Sequence, residues 1–313
     1  MKDQSIPGKF SDPYVTASGE LRARVPFGNP ETLWFNTGTL CNIECENCYI
    51  LSSPTNDALV YLSTVEVSLY LDQLEERNWN PREIGFTGGE PFMNPDMIDM
   101  TAQALERGYD VLVLTNAMQP MMRPRVQKGL LDLQQRFGHK LTLRISVDHW
   151  RDDLHETERG RGSFARTIAG MLWLHNNGIR MTVAGRTVWG ETEYEARAGY
   201  ADLYATHGFD ISAQDPSQTV LFPEMDELAE VPEITTDCWG ILHKSPRDVM
   251  CASSRMVVKH KGAELPSVIA CTLLPYVPEF DLGHSLKDAE RDVALNHPHC
   301  AKFCVLGRAS CSA

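Results

Sequence analysis

Cys41, Cys45 and Cys48 crowd three thiols into the stretch CNIECENCY, spaced as CxxxCxxC. Thiolates are soft ligands that suit zinc, copper(I) or iron–sulfur clusters. A structural zinc site wants four ligands, usually from paired CxxC knuckles, and this stretch offers three with no histidine beside them. A redox pair made of Cys45 and Cys48 would want a thioredoxin-like context and would leave Cys41 idle. A 4Fe–4S cluster held by only three cysteines keeps one iron open to a substrate or cofactor, which is a chemical reason to stop at three.

The remaining cysteines form a second group: Cys238, Cys251, Cys271, Cys300, Cys304 and Cys311. Nine cysteines is an odd number, and no apolar segment in MKDQSIPGKFSDPYV reads as a secretion signal. Metal ligation is therefore expected ahead of a disulfide framework. The same lack of a signal, with no apolar run long enough to span a bilayer, predicts a soluble cytoplasmic protein. A net charge of −13 argues against a surface that tracks phosphates, so no nucleic-acid partner is expected.

The elements that must position these groups alternate. TLWFNTGT reads as a strand, followed by the first cysteine loop and by a helix whose start is marked by Ser63 and Glu66 as a capping box. EIGFT, DVLVLT, LTLRISVD and RMTVAGRTV read as further strands, with helices near residues 95–107, 123–137, 163–177 and 191–207 between and after them. Ser163 is expected to cap its helix and Gly178 to end it. Such alternation implies parallel pairing in an α/β sheet or barrel, with chemistry at the C-terminal ends of the strands. The loops CNIECENC, GGEP, TNAM and SVDH then meet on one rim. From Gly208 the pattern lapses. DPSQTVLFPEMDELAEVPEITTD reads as a linker, RMVVKHKG with LPSVIACTLL as a hairpin, and the tail from Ser285 as a helix followed by a cysteine-rich loop. The expected division is an N-terminal arm over residues 1–30, a barrel over 31–225 and a cysteine-rich unit over 226–313.

CNIECENC resembles the cluster-binding signature of radical S-adenosylmethionine (SAM) enzymes, and GGEP at Gly88–Pro91 resembles their GGE motif one βα unit later. Ser146–His149 (SVDH) and His155–Gly160 (HETERG) resemble two further segments of many members, over roughly residues 31–190. The resemblance implies a partial (β/α)6 TIM-like barrel in which Cys41, Cys45 and Cys48 bind three irons and SAM binds the fourth. Electron transfer into SAM then yields methionine and a 5′-deoxyadenosyl radical that takes a hydrogen from the substrate. It also implies that Gly88 and Gly89 let the backbone approach SAM and that Glu90 accepts from its ammonium. Ser146 and Asp148 would reach its ribose or methionyl end, Asn116 would line the rim, and Arg159 would fork onto its carboxylate. A solvated charge run is the plain alternative for the segment around Arg159. Asn47 departs from the aromatic residue common before the last cysteine, with Tyr49 standing just after it as the residue near adenine.

The second group resembles the twitch or SPASM-type extension, a small hairpin-plus-helix iron–sulfur unit. It implies one auxiliary 4Fe–4S cluster on Cys251, Cys271, Cys300 and Cys304, with Cys311 as substitute ligand and Cys238 a free thiol. A zinc site using His297 or His299 is the alternative. The predicted activity is an oxidoreductase-type radical SAM reaction on a small molecule, served by a flavodoxin or ferredoxin reductant. A peptide-modifying maturase that forms a C–S or C–C crosslink is the rival enzyme. A non-catalytic zinc or iron–sulfur carrier is the rival from another class. The short stretch ahead of the barrel favours the small molecule.

Overall fold

The structure, a computed structural model, describes residues 8–224 and 230–307. Its strands are β1 (Arg24–Val25), β2 (Thr32–Asn36), β3 (Glu83–Thr87), β4 (Asp110–Thr115), β5 (Leu141–Ser146), β6 (Arg180–Arg186), β7 (Thr219–Phe222), β8 (Ser254–Val258), β9 (Ser267–Ile269) and β10 (Val293–Ala294). The main helices are α1 (Thr64–Glu76), α2 (Met97–Glu106), α3 (Pro124–Phe137), α4 (Asp152–Arg159), α5 (Ser163–Asn176) and α6 (Glu193–His207). One sheet runs β7-β6-β5-β4-β3-β2-β8-β9, and every pair from β7 through β8 is parallel. This is the expected partial barrel, an α/β fold with helices between successive parallel strands.

The central strands are buried at most positions because both faces are covered. All five residues of β2 are buried. The helices start where local chemistry tells them to. Ser63 Oγ accepts from the Glu66 N–H while Glu66 Oε2 accepts from the Ser63 N–H at 2.8 Å, and Thr192 with Glu195 repeats the device for α6. Ser163 does not cap α5. It is the first helical residue, Gly162 stands at the cap with φ +74°, and the Ser163 hydroxyl is buried without a partner. Gly178 does end that helix, at φ +66°.

Three features differ from the expectation. TVLF inside the supposed linker forms β7 and pairs with β6, from Val183↔Thr219 to Arg186↔Phe222. The C-terminal hairpin is present, Met256↔Ile269 to Val258↔Ser267, but β8 also lies parallel to β2 from Thr32↔Ser254 onward and so continues the barrel sheet. In the tail, the stretch after Ser285 forms no helix, because the buried Arg255 guanidinium takes the Ala289 and Arg291 carbonyls. The helix there is instead a short π-type turn over Cys300–Leu306. The N-terminal arm is stitched to this part of the chain. β1 pairs with β10, and buried Arg22 bonds Glu233 at 2.5 Å.

Candidate functional site

The C-terminal ends of β2 to β7 open on one cavity. Cys41, Cys45 and Cys48 all face it from the loop after β2. Burial pushes the Cys41 thiol up to about 12 and the Cys45 thiol to about 11. Both are therefore neutral until a metal draws off their protons. Ser52 N–H donates to Cys48 Sγ at 3.3 Å, closing the loop.

Gly88 and Gly89 also line the cavity, and what requires glycine there is the loop after β2. A Cβ on Gly88, at φ +149°, would stand 2.6 Å from the Gly38 carbonyl oxygen, and one on Gly89 2.4 Å from that of Leu40. Glu90 lies just behind this wall, 2% exposed. Its carboxylate accepts from the Thr115 hydroxyl at 2.8 Å and the Asn116 N–H at 2.9 Å. Burial raises it to about 7 in spite of those donors. Asn116 faces the cavity, and its amide donates to Asn42 Oδ1 at 2.9 Å, beside Cys41.

The third wall is charged and paired. Arg159, at the end of α4, forks onto Asp148 with Nε to Oδ2 at 2.6 Å and Nη2 to Oδ1 at 3.1 Å. Burial alone would raise Asp148, but Arg159 holds it below the usual carboxylate range. Ser146 lines the cavity beneath them. Arg186, at the end of β6, bonds Glu158 Oε2 at 3.0 Å, and Glu158 Oε1 accepts from Asn47 Nδ2 at 2.8 Å. Asn47 thus ties the cysteine loop to α4, and Tyr49 lines the cavity beyond it. The far wall is apolar, with Phe222 and Phe303 stacked at 5.7 Å and Leu273 alongside.

A second, smaller cavity gathers Cys251, Cys271, Cys300 and Cys304 among Val249, Met250, Phe280, Val293 and Leu295. Burial pushes Cys251 up to about 11 and Cys300 to about 12. His299 lines this cavity and His297 does not. Cys238 stands apart, its sulfur accepting from the Thr235 N–H at 3.4 Å. Cys311 lies outside the described residues. Leu273 borders both cavities, and Phe303, which faces the first, sits between the two cysteines of the π-type turn. All eight described cysteines are free thiols.

The model of the radical SAM superfamily matches residues 35–199, more than half of the chain. This chain belongs to the radical SAM superfamily. It is 34% identical over 171 residues to the antilisterial bacteriocin subtilosin biosynthesis protein AlbA of Bacillus subtilis (strain 168), a match covering 54% of this chain and 35% of AlbA. It is 28% identical over 132 residues to an AdoMet-dependent heme synthase of Methanosarcina barkeri (strain Fusaro / DSM 804), covering 42% of this chain and 35% of that one. These alignments span about a third of each relative's length. In fold it is similar to Streptococcus suis SuiB bound to S-adenosylmethionine, with TM-score 0.58 and 13% identity over 81% of this chain and 63% of that one. It is also similar to anSMEcpe with bound AdoMet, with TM-score 0.57 and 14% identity over 90% and 81%.

Membership of the radical SAM superfamily implies a 4Fe–4S cluster and SAM, and the first cavity fits them: three thiols on one wall, Cys41 buried and Cys45 and Cys48 half-buried, a polar wall for an amino acid, and an apolar wall opposite. The second cavity fits a cluster by its donor set, four thiols in an apolar shell. Among the described residues no three Cys, His, Asp or Glu side chains close around a single ion. A four-iron cluster holds its thiolates farther apart than one ion does.

Of the expected site residues, Cys41, Cys45, Cys48, Tyr49, Gly88, Gly89, Asn116, Ser146, Asp148 and Arg159 line one cavity, with Glu90 directly behind. Arg144 and Arg186 line it too, and no motif singled them out. Strand alternation offered a signal. Arg144 stands two residues before Ser146 on β5, on the same face. Phe222, Leu273 and Phe303 had no such signal, because they arrive from segments whose pairing is remote in sequence.

Proposed function

We propose that this chain is a hydrogen-abstracting radical SAM enzyme that modifies a peptide and carries one auxiliary 4Fe–4S cluster. What carries the reading is the separation of seven cysteines into two cavities that share Leu273: three beside a polar cofactor wall and four in an apolar shell. When bound, the cluster and SAM supply a radical that takes a substrate hydrogen, and an auxiliary cluster supplies an acceptor for the electron left behind.

The chain's own residues set the stage. Cys41, Cys45 and Cys48 ligate the first cluster. Gly88 and Gly89 hold the cysteine loop down, and Glu90 orients Thr115 and Asn116 against SAM. Arg159, with Nε and Nη2 committed to Asp148, would offer Nη1 to the SAM carboxylate, and Ser146 would reach its ribose or methionyl end. Tyr49 would stand near the adenine. Phe222, Phe303 and Leu273 keep water from the reacting carbon. Cys251, Cys271, Cys300 and Cys304 ligate the auxiliary cluster, and a flavodoxin or ferredoxin serves as reductant.

The peptide substrate is favoured by the relatives. AlbA is named for the biosynthesis of a bacteriocin, SuiB has been solved with the precursor peptide SuiA, and anSMEcpe with the Kp18Cys peptide. Oxidation of a small molecule is the second reading, and the heme synthase relative speaks for it.

Anaerobic reconstitution followed by assay of 5′-deoxyadenosine tests the proposal. Roughly eight irons per chain and SAM cleavage stimulated by a substrate peptide are expected, and Cys48→Ala brings cleavage to background. A chain that takes up zinc alone and leaves SAM intact would sink the proposal. Stimulation by small molecules but by no peptide would decide for the second reading.

A further inference from the structure

Arg255, the second residue of β8, is 1% exposed. Its guanidinium makes four hydrogen bonds, and every acceptor is a backbone carbonyl. Nε donates to Ala289 at 3.0 Å, Nη1 to Cys251 at 2.6 Å and Ser254 at 2.8 Å, and Nη2 to Arg291 at 3.1 Å. Its flat face lies 3.9 Å from the centroid of the Phe27 ring. Among the described residues no carboxylate pairs with it. Arg22, also buried, has Glu233. Carbonyl dipoles and a ring face soften the burial of a cation, but they supply no negative charge. Arg255 is therefore a desolvated positive charge with no anion of its own.

The anion that completes it lies next door. The carbonyl of Cys251 is gripped by Nη1, and the Cys251 side chain lines the second cavity with Cys271, Cys300 and Cys304. Cysteines bind iron as thiolates. Four of them around a 4Fe–4S core leave a net negative centre, and one added electron makes it more so. A fixed positive charge in a dry environment favours the more negative state, and net charge and burial are among the levers that set cluster potentials.

We infer that Arg255 is the counter-charge of the centre held by Cys251, Cys271, Cys300 and Cys304, and that it raises the reduction potential of that centre. The inference rests on the proposed auxiliary cluster and adds a direction to it. A site lifted in potential takes up an electron readily, whereas a purely structural cluster gains nothing from an unpaired arginine. Arg255 acts from outside the ligand set, so its mark is on the potential and not on the iron count.

The test uses the full chain with Cys41, Cys45 and Cys48 all changed to Ala, so that the second centre alone gives a signal. After anaerobic reconstitution, iron, sulfide and zinc are counted, and the potential is found by redox titration followed by electron paramagnetic resonance. A parent chain that holds only zinc, or no reducible cluster, removes the auxiliary cluster itself before any Arg255 variant is made. With the cluster present, Arg255→Met is expected to keep its iron and to shift the oxidised-to-reduced ratio about tenfold toward oxidised, 59 mV for one electron. Arg255→Lys keeps the charge but cannot grip four carbonyls. It is expected to melt at a lower temperature while staying close to the parent potential. An Arg255→Met chain with full iron and the parent potential overturns the inference. So does an Arg255→Lys chain whose potential falls by the full tenfold shift, a result that can be read even if the Met variant does not load.

Discussion

Glu158 accepts from Asn47 and Arg186 at once, and its backbone carbonyl takes the Glu46 N–H at 2.9 Å. Replacing Glu158 by Ala leaves Arg186 buried without its carboxylate, an expected loss of about 3–5 kcal/mol. Urea unfolding should show the midpoint falling, with Glu158→Gln between the two. His155 sits one turn earlier, fully buried, with neither ring nitrogen hydrogen-bonded. Burial, with Arg159 alongside, lowers it to about 4, against ~6.5 in an unfolded chain. Between those values the unfolded chain binds a proton that the folded one refuses. Stability is therefore expected to fall as pH drops from about 6.5 to about 4, by up to about 3 kcal/mol. Unfolding free energies at several pH values should flatten in His155→Phe, and parallel curves for the two chains would remove His155 as the cause. The three thiols were legible in their spacing, and Gly88–Glu90 through the family resemblance that this spacing suggested. The segment His155–Gly160 and its Arg159 were picked out by resemblance, but the buried partnership of Glu158 was hidden by the acids around it. Asp152 and Asp153 are solvated, as a charge run predicts, and only the helical period separates the two sets.

Helix α5 is held against the rim by a close approach. A Cβ on Gly170 would stand 1.9 Å from the Ala117 carbonyl oxygen, and Thr167 Oγ1 donates to the Asn116 carbonyl at 3.0 Å. Gly170→Ala must push the helix off the loop that carries Asn116. The expected cost is about 1–3 kcal/mol, measured by denaturant unfolding, with Asn116 displaced from Asn42. An Ala variant as stable as the parent would mean that the rim yields freely. Elements with a long period and a cap, such as α1 and α6, were readable from their residues. β7 was not, because four residues between Pro216 and Pro223 look like linker until β6 supplies the pairing. The tail was misread for a related reason. Carbonyls that a local helix would use are claimed by Arg255 from a distant strand.

At the scale of the molecule, the parallel sheet and its rim followed from alternation and the barrel from the family resemblance, while the place of β8 did not follow, since no window of sequence records a partner so far away. β8 covers the edge of β2 that β3 leaves open. A chain ended after residue 245 loses that cover along with the four cysteines of the second cavity. It is expected to self-associate, since an unpaired apolar edge is a template for another chain. Light scattering coupled to size exclusion checks this, and a monomer with parent-like near-ultraviolet circular dichroism would refute it. The same geometry puts a clock on biosynthesis. β2 leaves the ribosome roughly 200 residues before β8, and at ~5–20 residues per second that is about 10–40 s with one flank bare. Whatever shields that flank during those seconds, a chaperone or the arm itself, governs how much of each translated batch survives as folded protein.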